Sequence, residues 1–191
     1  MKTIEESINS EYIVKNSKFI TYLFPLESED ISSYLNEIKK IHPKANHYCY
    51  AYIYKDIYHY SDDLEPSNTA GLPMYMVLEK NNLSNILVIV VRYFGGIKLG
   101  AGGLVRAYTK ALTSTLENCK YINLALGYLV LIKIDYDEVK NLDYLLKRYN
   151  IKDKNYDKDI SYYVEIPKED ISILRNYNYE IIDELYIKNS N

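Results

Sequence analysis

The part of this sequence best suited to bind a ligand is a glycine-rich segment that follows a strongly apolar run. Most of the seven glycines of the 191-residue chain lie within it, at Gly95, Gly96, Gly100, Gly102 and Gly103. Glycine lets backbone N–H groups approach a ligand without obstruction by a Cβ atom, and the N-terminus of a following helix adds partial positive charge. Arg92, Lys98 and Arg106 bracket the segment, and arginine suits bidentate binding of phosphate or carboxylate. Together these eight residues predict a site for an anion or a nucleic acid.

The glycine-rich segment does not match the common phosphate-binding fingerprints. The dinucleotide pattern GxGxxG fails because the sixth residue from Gly100 is Val105, and the chain contains no Gly-Lys-Ser/Thr of the Walker type. The glycines can also serve only to permit a tight crossover from strand to helix. The residues alone leave anion binding and packing equally open.

A second chemically capable group is an acidic loop that precedes the glycine-rich segment. Asp62, Asp63 and Glu65 place three carboxylates within four residues, which can bind a divalent metal or act in acid–base catalysis. They can also cap the following helix or pair with Arg92 and Arg106, and solvation or pairing is the favoured interpretation.

Several residues near the acidic loop are candidates to support it, namely His47, Thr69 and Gly71. Cys49 lies two residues from His47, so both side chains point the same way on a strand, but adjacent core residues would look the same. Cys49 and Cys119 are isolated, which indicates neither a disulfide framework nor a zinc site. We therefore predict no metal and no cofactor, and the sequence assigns no catalytic residue.

Strands and helices must position these groups. The first two thirds of the chain predict strands within 11–26, at 46–54 and at 86–93, helices over 28–41, from Leu72 and after Gly103, and one long loop over 55–68. The run ILVIVVRY at 86–93 is the strongest strand and predicts burial on both faces.

A second series of predicted strands and helices begins after Asn118. The remaining sequence predicts strands at 121–134, 160–166 and 178–187, and helices from 137 and over 168–176. This half is close to βαββαβ, the pattern of a ferredoxin-like α/β sandwich. The fold class is therefore α+β with two domains, 1–124 and 125–191.

Composition excludes some classes of protein. The net charge of −3 gives no global basic footprint of the kind most nucleic-acid binders show, and the longest apolar run is far too short to span a bilayer. The cysteine usage fits a reducing cytosol, so we predict a cytoplasmic protein without a membrane segment. The 23 tyrosines are spread over the whole chain, which favours compositional bias over base-stacking platforms.

Four segments of the chain together resemble the IMPACT/YigZ family: EYIVKNSKFIT near the start, HPKANHYCYAY at 42–52, SDDLEPSNTAGLP at 61–73 and VVRYFGGIKLGAGGLVRAY at 90–108. The resemblance covers essentially the whole chain. It implies an N-terminal IMPACT-type domain with the ribosomal-protein-domain-2-like left-handed βαβ fold. It also implies a ferredoxin-like C-terminal domain similar to domain V of elongation factor G.

The chain departs from the family in the acidic loop. The usual family pattern is SDDGEPxGTAG, and here Leu64 and Asn68 replace its two internal glycines. If these positions require a positive φ, Asn68 adopts it more easily than Leu64.

The resemblance implies a role in translation without an established chemistry. Eukaryotic relatives regulate a kinase of translation initiation through an extra domain for which this chain has no room, so we do not carry that role over. Bacterial relatives look like RNA- or ribosome-associated proteins. The hypothesis is a translation-associated regulatory protein that binds RNA or the ribosome through the glycine-rich basic motif.

Two alternatives remain open at this point. The first is an enzyme or sensor for a small phosphorylated or carboxylated ligand, with the acidic loop facing the glycine-rich turn. The second is a regulator that binds a protein partner through the acidic C-terminal domain, where residues 126–191 carry 10 basic and 13 acidic side chains.

Overall fold

A computed structural model describes residues 1–156 and 160–188. The chain divides into two compact units, Met1–Ile122 and Asn123–Asn191. Both units combine strands with helical segments, which confirms the mixed α/β, two-domain fold that the sequence predicts. Among the described residues, none of the helices has the length and apolarity needed to cross a membrane.

The first unit is built on a five-stranded antiparallel sheet with the strand order β2-β3-β6-β4-β5. Its elements are β1 (Lys2–Ile4), β2 (Ile8–Val14), β3 (Ser17–Pro25), α1 (Ser32–Ile41), β4 (His47–Tyr54), β5 (Ile57–Ser61), α2 (Gly71–Lys80), β6 (Ile86–Tyr93) and α3 (Ala101–Leu116). The apolar strand β6 lies at the centre, and its first seven residues are buried, as expected for a strand covered on both faces.

Two apolar cores cover the two faces of this sheet. On one face, α2 and α3 supply Met74 and Leu112, which pack with Val88 of β6 and its neighbours. On the other face, α1 supplies Ile38, which packs with Ile89 and the other alternate residues of β6. The alternation of β6 therefore decides which helices each of its side chains meets.

The prediction of one long loop over 55–68 is wrong in its first half. A turn at Lys55, whose φ is 53°, leads into β5, which pairs antiparallel with β4. Tyr58 and Tyr60 then stack on Tyr75 of α2, with ring centroids 4.5 and 6.0 Å apart. These aromatic contacts favour a strand, and the acidic loop is confined to the residues after β5.

The second unit follows the order βαββαβ. Its elements are β7 (Tyr121–Ile134), a 3-10 helix (Tyr136–Glu138), α4 (Val139–Leu146), β8 (Asn150–Tyr156), β9 (Ile160–Pro167), a 3-10 helix (Lys168–Leu174) and β10 (Asn178–Lys188). These strands pair antiparallel in the order β10-β7-β9-β8. The strand β8 is absent from the sequence prediction, and the segment predicted as a helix over 168–176 is a 3-10 helix.

One glycine fixes where the glycine-rich segment leaves the sheet. A Cβ atom on Gly95 would lie 2.0 Å from the backbone carbonyl carbon of Asn16, in the turn between β2 and β3. The Gly95 N–H also donates to the hydroxyl of buried Ser17 at 3.1 Å. Only glycine permits this approach of two backbones, so Gly95 holds the start of the segment against the sheet.

We expect Gly95→Ala to lower the free energy of unfolding by at least about 2 kcal/mol, because the added methyl group overlaps the backbone of Asn16. The matched control is Gly102→Ala in the first turn of α3, where a Cβ atom would meet only the Arg106 guanidinium at 3.5 Å. Alanine favours the helix there, so the change stays within about 1 kcal/mol. Urea denaturation followed by circular dichroism measures both, and equal losses would contradict the packing role of Gly95.

Candidate functional site

The glycine-rich segment ends in an exposed helix N-terminus. Gly100 is the N-cap residue of α3, with a φ of 70° and no capping side chain, and its carbonyl accepts the N–H of Leu104 at 2.9 Å. Ala101 and Gly102 are exposed and Gly103 is half-buried. The first backbone N–H groups of a helix have no partner within the helix, so this turn presents donors and partial positive charge at the surface.

Two of the three predicted basic residues accompany this turn. Lys98 and Arg106 are both exposed, and neither forms an ion pair within residues 1–156 and 160–188. Arg106 reaches back toward Gly102, since its Nη1 atom lies 3.5 Å from the position of a Cβ atom there. The structure therefore places a guanidinium group beside the uncapped N-terminus of α3.

Arg92, the third predicted basic residue, lies elsewhere and does not belong to the exposed site. It is 5% exposed, and its Nη1 donates to Oε1 of Glu65 at 2.5 Å. Its guanidinium group also lies 5.4 Å from the ring centre of Phe19 and 5.7 Å from that of Phe94. The correction follows from strand alternation, because Arg92 shares the face of β6 that α2 and α3 cover.

Glu65 joins Arg92 to a buried polar network. Its Oε1 atom also accepts the hydroxyl of Tyr108 at 2.8 Å, and its Oε2 atom lies 3.9 Å from Nε2 of His47. His47 in turn donates from Nδ1 to the carbonyl of Asp63 at 2.8 Å. The ion pair thus links the acidic loop to β4, β6 and α3.

Cys49 belongs to the same network as a neutral thiol. Its Sγ atom donates to the carbonyl of Asp62 at 2.9 Å and lies 3.2 Å from the hydroxyl of Tyr108. Burial raises the pKa of the Cys49 thiol far above its usual value, and burial likewise raises the pKa of Tyr108. The thiol of Cys49 bonds the carbonyl of Asp62 and the imidazole of His47 bonds the carbonyl of Asp63, so each side chain is held by the acidic loop.

The other two carboxylates of the acidic loop accept backbone N–H groups. Asp62 accepts those of Ala70 at 2.9 Å and Gly71 at 2.8 Å through Oδ1, and that of Asn68 at 2.7 Å through Oδ2. It thereby caps the start of α2. Asp63 accepts the N–H of Tyr48 at 2.6 Å.

These roles agree with the capping and pairing interpretation of the acidic loop. Buried Thr69 adds a bond from its hydroxyl to the carbonyl of Pro66 at 2.6 Å, which closes the loop on itself. In the part of the chain that the structure describes, no group of three His, Cys, Asp or Glu side chains is arranged to hold a metal ion.

Sequence reasoning missed Tyr108 as a member of this network. Its ring is fully buried and meets Phe19 edge-on at 5.1 Å, while its hydroxyl reaches Glu65. The available signal was helical spacing, because Tyr108 lies four residues after the core residue Leu104 and four before Leu112. A tyrosine on the buried stripe of a helix needs a hydrogen-bond partner for its hydroxyl.

We expect Glu65→Ala to lower the free energy of unfolding by about 3–5 kcal/mol, because it leaves the buried charge of Arg92 without its partner. The matched control is Glu11→Ala. Glu11 pairs with Lys18 at 2.8 Å on the surface, where both side chains are 42% exposed, and such pairs contribute less than about 1 kcal/mol. Urea denaturation measures the free energy of unfolding of both variants. A decrease for Glu65→Ala no larger than that for Glu11→Ala would contradict the role given to the ion pair.

The two replaced family glycines generate another prediction. Leu64 and Asn68 both adopt positive φ, at 69° and 63°, and Leu64 is 92% exposed. A leucine in this conformation costs about 1–2 kcal/mol and here has almost no packing to lose. We therefore expect Leu64→Gly to raise the free energy of unfolding by about 0.5–1 kcal/mol after the greater flexibility of the unfolded chain is allowed for.

The control for Leu64→Gly is Leu64→Ala, which keeps a Cβ atom and therefore keeps the strain. Denaturation midpoints at constant slope compare the two variants with the parent chain. A gain for the alanine variant equal to that of the glycine variant would show that the exposed leucine side chain, and not its backbone conformation, is the cause.

Comparison with known proteins adds an independent observation. Residues 15–116 match the family model described as the Impact N-terminal domain. The chain is 31% identical over 185 residues to IMPACT family member YvyE of Bacillus subtilis strain 168, with 94% of this chain and 85% of the relative covered. It is 37% identical over 110 residues to IMPACT family member YigZ of Escherichia coli K12, with 54% of each chain covered.

A solved structure supports the fold over nearly its full length. The crystal structure of a hypothetical protein superposes with a TM-score of 0.73 at 25% identity, covering 95% of this chain and 97% of the other. The family match includes the acidic loop, the buried ion pair and the N-terminal turns of α3. The resemblance noted in the sequence is therefore confirmed, and the chain belongs to the IMPACT family, which includes YigZ.

Proposed function

We propose that this chain is a translation-associated regulatory protein that binds RNA or the ribosome through the N-terminal turn of α3. The observation that carries this proposal is the uncapped, exposed start of α3 with Lys98 and Arg106 beside it, both without an ion pair among the described residues. Membership of the IMPACT family and its implied role in translation support the biological setting.

The chemistry of this turn suits a phosphate group. Backbone N–H groups at a helix N-terminus donate to phosphate oxygens, and the helix dipole favours the negative charge. Arg106 adds a planar pair of donors, and Lys98 adds a mobile point charge. Because the chain carries a net charge of −3, attraction to RNA is local to this turn, and we propose binding of modest affinity that weakens as salt rises.

The finer fold assignments are also part of the proposal. For the second unit we propose a ferredoxin-like sandwich, supported by its βαββαβ order and its strand order β10-β7-β9-β8. For the first unit we propose the ribosomal-protein-domain-2-like fold that the family implies. We place the domains at 1–124 and 125–191.

The alternative of an enzyme or sensor for a small anionic ligand receives less support. It needs Asp62, Asp63 and Glu65 as free metal ligands or acid–base groups. Each of these carboxylates instead accepts hydrogen bonds from backbone N–H groups or from buried side chains.

We expect the double variant Lys98→Ala/Arg106→Ala to bind ribosomes and single-stranded ribosomal RNA fragments more weakly than the parent chain. Each lost phosphate contact with a single strand reduces the magnitude of the slope of log affinity against log salt by about 0.7, so the loss of two contacts reduces it by about 1.4. Fluorescence anisotropy between 50 and 200 mM salt, values chosen to span the usual counterion effect, measures the slope.

The matched control is Lys110→Ala, since Lys110 is exposed on α3 but lies further along the helix. We expect the slope of log affinity against log salt to change less for Lys110→Ala than for the double variant. Absence of affinity for ribosomes and ribosomal RNA at low salt contradicts the proposed function, and an equal effect of the control contradicts the proposed site.

A further inference from the structure

The sheet of the second unit has one face that its own helical segments leave open. On the covered face, Val130, Ile132 and Val164 are fully buried and pack with Leu142 of α4 and Leu174 of the second 3-10 helix. Successive residues of a strand point to opposite faces. The side chains between these residues therefore lie on the other face, which none of the helical segments within residues 123–156 and 160–188 covers.

The centre of this open face is apolar. Leu129 and Leu131 of β7 and Tyr163 of β9 alternate with the core residues of their strands and are only half-buried. They belong to none of the hydrophobic clusters formed by the described residues. The open face is defined here by these three side chains together with Glu165, Glu180 and Asp183.

Strand register arranges the open face in two rows. The first row crosses all four strands. It consists, in order, of Glu180 of β10, Leu131 of β7, Tyr163 of β9 and Asp153 of β8, each opposite the next. In the next row Asp183 is opposite Leu129. Directly paired residues in neighbouring strands lie about 5 Å apart, so carboxylates flank the apolar centre on the β10 side and again on the β8 side.

The charge of the open face is acidic. Glu165 of β9 continues the second row, opposite Leu129, and pairs with Lys152 at 3.2 Å. Among the described residues, Lys133 of β7 is the other basic residue near the rows, opposite Asn178. Counting Asp153, Glu165, Glu180 and Asp183 against Lys133 and Lys152 leaves an excess of two negative charges, which disfavours the phosphates of a nucleic acid.

We propose that the open face binds a basic, extended segment of a partner protein. Apolar side chains of the segment lie on Leu129, Leu131 and Tyr163, and its lysine or arginine side chains meet the flanking carboxylates. An extended chain alternates its side chains with the same period of two as the sheet, which suits a row of apolar contacts beside charged ones. This proposal does not rest on the RNA-binding role proposed for the α3 turn.

The test uses the full chain and a nine-residue peptide of alternating lysine and valine, with a glutamate–valine peptide of the same length for comparison. Binding is measured by fluorescence anisotropy near physiological salt. The contact face is located from amide chemical shifts in nuclear magnetic resonance spectra. We expect the lysine peptide alone to bind and to shift the resonances of Leu129, Leu131 and Tyr163.

A pair of charge reversals on β10 separates this face from general attraction to an acidic protein. Glu180→Lys acts on the open face, and we expect at least about fivefold weaker binding of the lysine peptide, because one attraction becomes a repulsion. The matched control is Glu184→Lys. Glu184 lies on the same strand opposite Tyr128, which packs against the helix-side core, and it is also exposed. We expect the control to change the affinity less than twofold.

Three outcomes would overturn the proposal. The first is that the lysine peptide does not bind the parent chain, and the second is that the two charge reversals weaken binding equally. The third is that a single-stranded oligonucleotide, and not the peptide, shifts the open-face resonances. Far-ultraviolet circular dichroism of both variants checks that the fold is retained. Leu131→Ala provides a second test. We expect it to weaken binding of the lysine peptide, because it removes apolar contact without changing the charge of the face.

Discussion

The arrangement of the first unit depends on the buried ion pair between Arg92 and Glu65. Arg92 comes from the central strand of the sheet, and Glu65 comes from the acidic loop 27 residues earlier. Removing two charges from water is costly and is offset only when both are paired and further hydrogen-bonded. Tyr108 supplies an additional bond to Glu65, whereas the buried Nε atom of Arg92 has no hydrogen-bond partner among the described residues. The pair fixes the loop against both the sheet and α3.

The acidic loop is therefore a structural element of the fold. With Glu65 held in place, Asp62 is positioned to accept the first N–H groups of α2, and Asp63 to accept the N–H of Tyr48 in β4. The loop tolerates positive φ at Leu64 and Asn68 because these anchors determine its course. Its carboxylates are committed to the fold, whereas the exposed cations beside α3 are not. This contrast supports the proposed binding role of the α3 turn.

The sequence predicts those features that local patterns encode. The apolar run of β6 and the glycine-rich crossover into α3 follow from periodicity and breakers, and so do most elements of the second unit, although β8 does not. The position of Arg92 does not follow in the same way. The sequence allows it either to pair with the acidic loop or to bind a ligand beside the glycine-rich turn, because its partner Glu65 is far away in sequence. Local composition also hides β5, since its support comes from Tyr75 in a helix that follows. Long-range pairing thus decides what residue type alone leaves open.

The tyrosines of β4 show that residues which are evenly spread along the sequence can still occupy one defined layer of the fold. Tyr48, Tyr50, Tyr52 and Tyr54 occupy alternate positions of β4 and pack on the α1 side of the sheet. Three of their hydroxyls have partners within the first unit: Tyr48 donates to the carbonyl of His42, Tyr54 donates to the carbonyl of Glu27, and Tyr50 bonds the ring of His59. Aromatic rings held in this way form part of a core layer, which argues against a free stacking platform there. In the first unit, backbone donors and two cations are instead exposed at the α3 turn, which supports the binding site proposed there.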